Sequence, residues 1–343
     1  MDLANVLVQG AVTSAVLALI ALGFSVVYGV GGTVNLAHGS FYMLGAYGSI
    51  WFLFMVDGGA SPGNWLLLVA MLAGLALAAL GGLVVDQLVV RPVAGVIALA
   101  VALVTAAVAN SAGISGGTSF VLGLALGAAA GAAAGLVVTR KAGGTEVTVL
   151  ITTLATALLL QSLVAYSFGE RNRGVPGLRS DSIDVLGVTV QTTRLIAFAV
   201  GVVVVVAAIL LLNKTPVGRV VRAVAQDGEA ATLMGIRTGV VSAGVMVAGA
   251  VLAGLAGVLV TPYQVASPIM WLQPLTLAFA VVILGGLGSV AGTLLAAVVI
   301  GYLDRAVAFL VPQGEVYAPL FTAAVILTVL VVRPQGLLGE AHP

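Results

Sequence analysis

The chain has 343 residues, of which 61% are hydrophobic and only 7% charged, with a net charge of +1 and no cysteine. Soluble domains carry roughly 25% charged residues, so this balance, with a mean hydropathy of +1.22, excludes an ordinary soluble fold and indicates an integral membrane protein. Nucleic acid finds no basic block to bind, and without cysteine there is no disulfide, thiolate metal site or thiol nucleophile.

A spanning helix needs about 20 mostly apolar residues. In chain order the runs that meet this requirement fall near 3–30, 36–56, 65–90, 95–112, 119–139, 147–168, 193–213, 240–262, 273–286, 290–309 and 317–333. The expected fold is all-α, a polytopic transmembrane helical bundle of 10–11 spans that forms one membrane domain over 1–343, with no Ser/Pro-rich linker. The lower count applies if the short run 273–286, set off from the next by Gly-Gly-Leu-Gly-Ser at 285–289, is a re-entrant half-helix. The first run lacks a positive leading region and an obvious cleavage site, so it is expected to be a retained span and not a signal peptide.

Lys and Arg in short loops mark the cytoplasmic side. With eleven spans, Arg91, Arg140, Lys141, Lys214, Arg219, Arg222, Arg237 and Arg333 all fall on one side, leaving the N-terminus and the 169–192 loop outside. Arg171, Arg173 and Arg179 in that outer loop run against the rule. Glycine is abundant, and small-residue patterns such as those in 123–135 offer faces on which helices approach closely.

Reactive chemistry is sparse. The sequence has no zinc-protease, hydrolase or phosphate-loop motif and only two histidines, His38 and His342, so catalysis by this chain, and a resident cofactor, are not expected. A charge inside a span is costly and usually marks a pathway, yet every Asp and Glu lies at a predicted span end or in a loop. Energy for any transport is therefore expected to come from a partner.

Two sets of polar residues interrupt the apolar runs. In "GTVNLAHGS" (32–40), Asn35, His38 and Ser40 sit among glycines. One reading has Asn35 capping the following helix and His38 satisfying a neighbouring carbonyl; the other has these groups lining a solute route and offering hydrogen bonds to an amino-acid head group. Thr152, Thr153 and Gln161 are weaker lining candidates, because hydroxyls in spans commonly bond back to their own helix. In "TPYQVASPIMWLQP" (261–274), Trp271 reads as a membrane-interface anchor.

Between two spans lies "KTPVGRVVRAVAQDGEAATLMGI" (214–236), polar and charged but with helical spacing. Thr215 then Pro216 is a strong helix start. At 100° per residue Val217, Val220, Val221 and Val224 share one face, opposite Arg219, Arg222 and Gln226. Asp227-Gly228 breaks this helix, and a second short one follows, with Ala230, Leu233 and Met234 on one face and Gly235 at its end. Such an element either lies on anionic lipid headgroups or docks on a soluble cytoplasmic subunit.

The stretch 215–236 resembles the cytoplasmic coupling loop of branched-chain amino acid ABC transporter permeases of the LivH/LivM type. The segments "ALIALGFSVVYGVGGTVNLAHGSFYMLGAY" (18–47), "RPVAG" (91–95), "VTVLITTLATALLLQS" (147–162), "AVVILGGLGSVAGTLLAAVVIG" (280–301) and "VVRPQGLLGE" (331–340) resemble further parts of that family. The resemblance implies an ABC importer permease fold in the cell membrane and a role as the permease subunit of an ATP-driven importer. It implies as partners a second homologous permease, two cytoplasmic ATPase subunits and an extracytoplasmic amino-acid-binding protein, besides membrane lipid. It also implies that Gly218, Arg219, Arg222, Ala223, Asp227, Glu229, Ala230, Ala231 and Gly235, within a coupling loop at 214–238, contact the ATPase. Residues 96–144 depart from the family pattern and read as an inserted two-helix hairpin, which leaves the sidedness of everything downstream unchanged. Urea or short amides as cargo, a stand-alone channel or secondary carrier, and a structural scaffold are the competing readings.

Overall fold

The computed structural model describes residues 2–57, 63–90, 101–102, 104–105, 107–109, 111–114, 118–126, 146–169, 173–175, 181–185, 187–333 and 336–338. Its helices are α1 (Asp2–Gly31), α2 (His38–Asp57), α3 (Asn64–Val90), α4 (Glu146–Phe168), α5 (Thr192–Lys214), α6 (Pro216–Gln226), α7 (Gly228–Leu233), α8 (Thr238–Val260), α9 (Leu272–Gly285), α10 (Val290–Leu310) and α11 (Gly314–Val332). Residues 118–126 are also helical. Among the described residues, seven helices are long and apolar enough to cross a membrane, so the protein is a multi-pass membrane protein with an α-helical transmembrane bundle. Arg91, Arg140 and Lys141, together with much of the expected spans 95–112 and 119–139, lie outside the described residues.

The short ninth run forms α9, whose 14 residues extend about 21 Å at about 1.5 Å per residue. That is less than the about 30 Å hydrocarbon core. The chain makes up the difference with an irregular segment, 261–271, that turns inward until Trp271 is completely buried. Trp271 is therefore no interface anchor: its indole Nε1 donates to Gln161 Oε1 on α4 at 2.7 Å, which satisfies both polar groups inside the bundle.

The centre of the molecule is the pair α1 and α8. Helix α1 packs on α8, α10, α5 and α9, while α8 also packs on α2 and α3. Small residues let the backbones close up: a Cβ on Gly257 would meet the Tyr42 carbonyl oxygen of α2, and one on Gly45 would meet the Gly254 carbonyl oxygen of α8. The small-residue run expected to do this at 123–135 extends beyond the described residues, whereas the close approach shown here is between α2 and α8.

The chain ahead of α5 holds a two-stranded antiparallel hairpin, β1 (Ser182–Val185) with β2 (Val188–Gln191), in the register Val185↔Val188 to Ser182↔Gln191. Alternation in Val188-Thr189-Val190-Gln191 buries the two valines against Val8 of α1 and leaves Thr189 and Gln191 exposed. Gly187 supplies the positive φ of the turn, a conformation that favours glycine. This end of the molecule carries the start of α1 and the start of α5. The 215–237 element lies at the opposite end of α5.

Candidate functional site

The break between α1 and α2 wraps around Asn35. Its Oδ1 accepts from the Ala37 backbone N–H at 3.0 Å, holding the turn that starts α2, and its Nδ2 lies 3.2 Å from the Met246 Sδ of α8. The Leu36 N–H donates to Thr153 Oγ1 at 3.1 Å, and that hydroxyl donates to the Leu150 carbonyl of its own helix. A backbone freed by the helix break is thus satisfied by a side chain from α4.

His38 takes a different direction. Its ring is fully buried, Nε2 is 3.0 Å from the Ile20 carbonyl oxygen of α1, and the ring stands edge-on to Phe24 and Phe41. Ser40 is also fully enclosed. The carbonyl bond of His38 is therefore present in the structure, while Asn35 braces the turn that precedes α2 and bonds none of the helix's own N–H groups among the described residues.

Beside Asn35 is a cavity of about 240 Å³. Val27, Val30, Val149, Val245 and Met246 make its apolar wall, and Thr33, Asn35 and Ser242 contribute the polar side chains. Among the described residues, no charged side chain lines it. The cavity brings Asn35 together with α8, and Thr153 joins through Leu36; His38, Ser40, Thr152 and Gln161 are not part of its lining. Thr33, Ser242 and Met246 escaped sequence reading, because a single hydroxyl or thioether in an apolar span carries no periodic signal.

The bent surface element packs on two of the helices that wall this cavity, α1 and α8. Thr215 Oγ1 accepts from the Gly218 N–H at 3.2 Å with Pro216 at the first helical position. Asp227 Oδ1 accepts from the N–H groups of Glu229 and Ala230, both at 2.9 Å, capping α7 as α6 ends. Gly235 closes the unit with φ 84°. Helix α6 packs on α5, α1 and α8, and α8 starts just after Arg237, four residues before Ser242 of the cavity wall. Any displacement of α6 therefore bears on the helices that wall the cavity.

The inner face of α6 is Gly218, Val221 and Val224, with Val224 buried and Val221 packed against the core. Val217 was expected on this face but is 61% exposed, because the chain enters the helix so tightly that only Gly218 fits under the end of α5. Arg219, Asp227, Glu229, Ala230 and Gly235 are exposed, Ala223 is half-buried and Ala231 is buried. Arg222 is exposed, yet its Nη1 donates to the Leu212 carbonyl, tying α6 to the end of α5. In α7 the expected apolar face points outward: Leu233 and Met234 are 88% and 83% exposed, since Ala231 is the residue that turns inward. The outer surface thus combines a cation, a carboxylate and a projecting apolar tip.

A family model described as "Branched-chain amino acid transport system / permease component" matches residues 6–119 and 92–330 of the chain. The chain is similar to the high-affinity branched-chain amino acid transport system permease protein LivH of Salmonella typhimurium, 25% identical over 340 residues that cover 97% of this chain and 94% of the relative. LivH of Escherichia coli matches to the same identity and coverage, and BraD of Pseudomonas aeruginosa is 25% identical over 341 residues, covering 97% and 95%. Among solved structures, PsaBC from Streptococcus pneumoniae in complex with Fab aligns over 94% of this chain and 91% of that chain at 13% identity, with a TM-score of 0.38. So distant a likeness carries no structural argument.

Proposed function

The chain belongs to the family of branched-chain amino acid transport system permease components, and from that membership we propose that it is the membrane-spanning subunit of an ATP-driven importer for branched-chain or related small apolar amino acids. The observation that carries this reading is the α6–α7 unit: a capped, bent, amphipathic element with its inner face seated on α5, α1 and α8, and its outer face open. Arg219, Glu229, Leu233 and Met234 fit a protein cleft that offers both charge and an apolar hole. A net-anionic lipid surface repels Asp227 and Glu229, which argues against simple headgroup binding.

Mechanically, two cytoplasmic ATPase subunits would close on binding ATP and displace α6 of this chain and of a second, homologous permease. Only a difference in ATPase contact between the two states can drive such a shift. The cavity beside Asn35 then serves as the inner station of the solute route, with Asn35, Thr33 and Ser242 offering hydrogen bonds and the valines accepting an aliphatic side chain. His38 serves the route indirectly, by holding α2 against α1 through the Ile20 carbonyl; Thr153 and Gln161 do so by fixing α4 to the break and to Trp271. An extracytoplasmic binding protein would deliver the amino acid at the hairpin end. The two family matches, over 6–119 and 92–330, together run through the chain and support reading it as a single membrane domain.

The test is reconstitution. The chain with its ATPase, second permease and binding protein should accumulate leucine, isoleucine or valine in vesicles only when ATP is present. Flux through the chain alone would support a stand-alone channel, and accumulation of urea or short amides in place of amino acids would redirect the substrate.

A further inference from the structure

Asn35 and Met246 are 4% and 6% exposed, and both line the cavity at the break between α1 and α2. The backbone fixes which way the Asn35 amide faces: the Ala37 N–H is a donor, so Oδ1 turns to it, at 3.0 Å, and Nδ2 turns to α8. An amide nitrogen carries two N–H donors. Among the described residues the one acceptor that Nδ2 meets is the Met246 Sδ, at 3.2 Å. A thioether is a weak acceptor, whereas buried polar groups ordinarily find good partners. The break thus holds an underused donor at the wall of a cavity of about 240 Å³, against roughly 10–15 Å³ for a single water.

Met246 is suited to give this bond up. Ser242, Val245 and Met246 all line the cavity, and their spacing puts them on one face of α8. The unbranched thioether chain adapts readily to a changed neighbour. A carboxylate oxygen is the better acceptor, since a hydrogen bond to an ionised group is about twice as strong as a neutral one. Among the described residues, no charged side chain in the lining competes for a carboxylate or repels it.

We propose that the Met246 Sδ is a placeholder acceptor, which holds the Asn35 amide when no substrate is bound and yields Nδ2 to the α-carboxylate of the amino acid. Asn35 then reads the carboxylate, and Met246, as a positioning residue, sets how tightly it is read. The released thioether packs against the aliphatic side chain of the substrate. This rests on the importer reading above, with the cavity as a station of the route.

The experiment uses the complete transporter in nanodiscs, without binding protein and with [methyl-13C]methionine in this subunit. The Met246 methyl signal is assigned by its loss in Met246→Leu. Leucine and 4-methylpentanoate, which keeps the carboxylate but not the ammonium, should both shift that signal saturably. At the same concentrations 3-methylbutylamine, which keeps the ammonium but not the carboxylate, should leave it in place. Met246→Leu nearly conserves volume and removes only the acceptor, so the half-saturating concentration of radiolabelled leucine should fall by about two- to threefold; a side chain that only packs would leave it unchanged or raise it. Asn35→Asp keeps the oxygen that braces Ala37 and replaces the donor, and should raise the same value by about tenfold or more, the loss of one hydrogen bond to a charged group. Equal shifts with acid and amine, no shift with leucine, or leucine binding that either variant leaves unchanged would overturn the placeholder and leave the importer reading intact. A wild-type complex that imports no amino acid would instead refute the importer reading.

Discussion

Replacing Gly218 with alanine tests whether the α5–α6 elbow transmits force. A Cβ at this position would lie 2.5 Å from the Leu211 carbonyl oxygen and closer still to that of Leu212. Both atoms are backbone, so relief requires the elbow to open. Overpacking against an unyielding neighbour costs about 1–3 kcal/mol, and the better helix propensity of alanine returns about 0.5–1 kcal/mol. Because both neighbours are backbone, the upper end of the overpacking range applies, and the net of about 2–2.5 kcal/mol corresponds to about a thirty- to seventy-fold shift away from the seated position of α6. In vesicles containing the full transporter, Gly218→Ala should therefore cut uptake by about thirtyfold or more at near-normal membrane levels. Amides of 215–226 should also exchange faster with deuterium. Gly244→Ala, with open space around its Cβ, is the control and should behave as wild type. If Gly218→Ala transports normally and shows unchanged exchange in 215–226, the elbow is not under the constraint described.

Three further substitutions probe other parts of the molecule. Asp227→Ala removes an acceptor shared by two N–H groups and should loosen α7 by about 1 kcal/mol, visible as faster exchange at 229–231 with the thermal midpoint of the bundle unchanged. Trp271→Phe leaves the Gln161 carbonyl of α4 unpaired and should destabilise the protein by about 1–3 kcal/mol, read as a lower midpoint in a thermal melt in detergent; an unchanged midpoint would mean the bond contributes nothing. Ser242→Phe fills the cavity beside Asn35 and should abolish uptake while ATPase subunits still co-purify, whereas undiminished uptake would remove that cavity from the route.

Much of the bundle was legible because apolar run length is a strong signal: the seven spanning helices fall where hydropathy places them. The caps Thr215 and Asp227 were legible for the same kind of reason, since their chemistry acts within three residues. Tertiary choices were not. Nothing local in 261–274 tells whether Trp271 faces lipid or turns into the bundle; its partner Gln161 is 110 residues away. The outward turn of Leu233 and Met234 was missed because periodicity identifies a face without saying which way it points, and here the small Ala231 fits against the bundle. The same limit applies to Asn35: only the fold brings Met246 to it. The hairpin at 182–191 was readable in principle from Gly187 and the Val-Thr-Val-Gln alternation, but four-residue strands are a weak signal beside twenty-residue apolar runs.

The chain contains no cysteine, so a single one placed at Leu233 is unique in this subunit. Leu233→Cys in vesicles of known orientation, with the ATPase subunits present, should react with a membrane-impermeant maleimide only in inside-out vesicles, and a short bifunctional reagent should link it to an ATPase subunit with a yield that changes between ATP-bound and nucleotide-free states. Labelling from the outer face, or an absence of any link to the ATPase in both states, would contradict transport driven through the α6–α7 element.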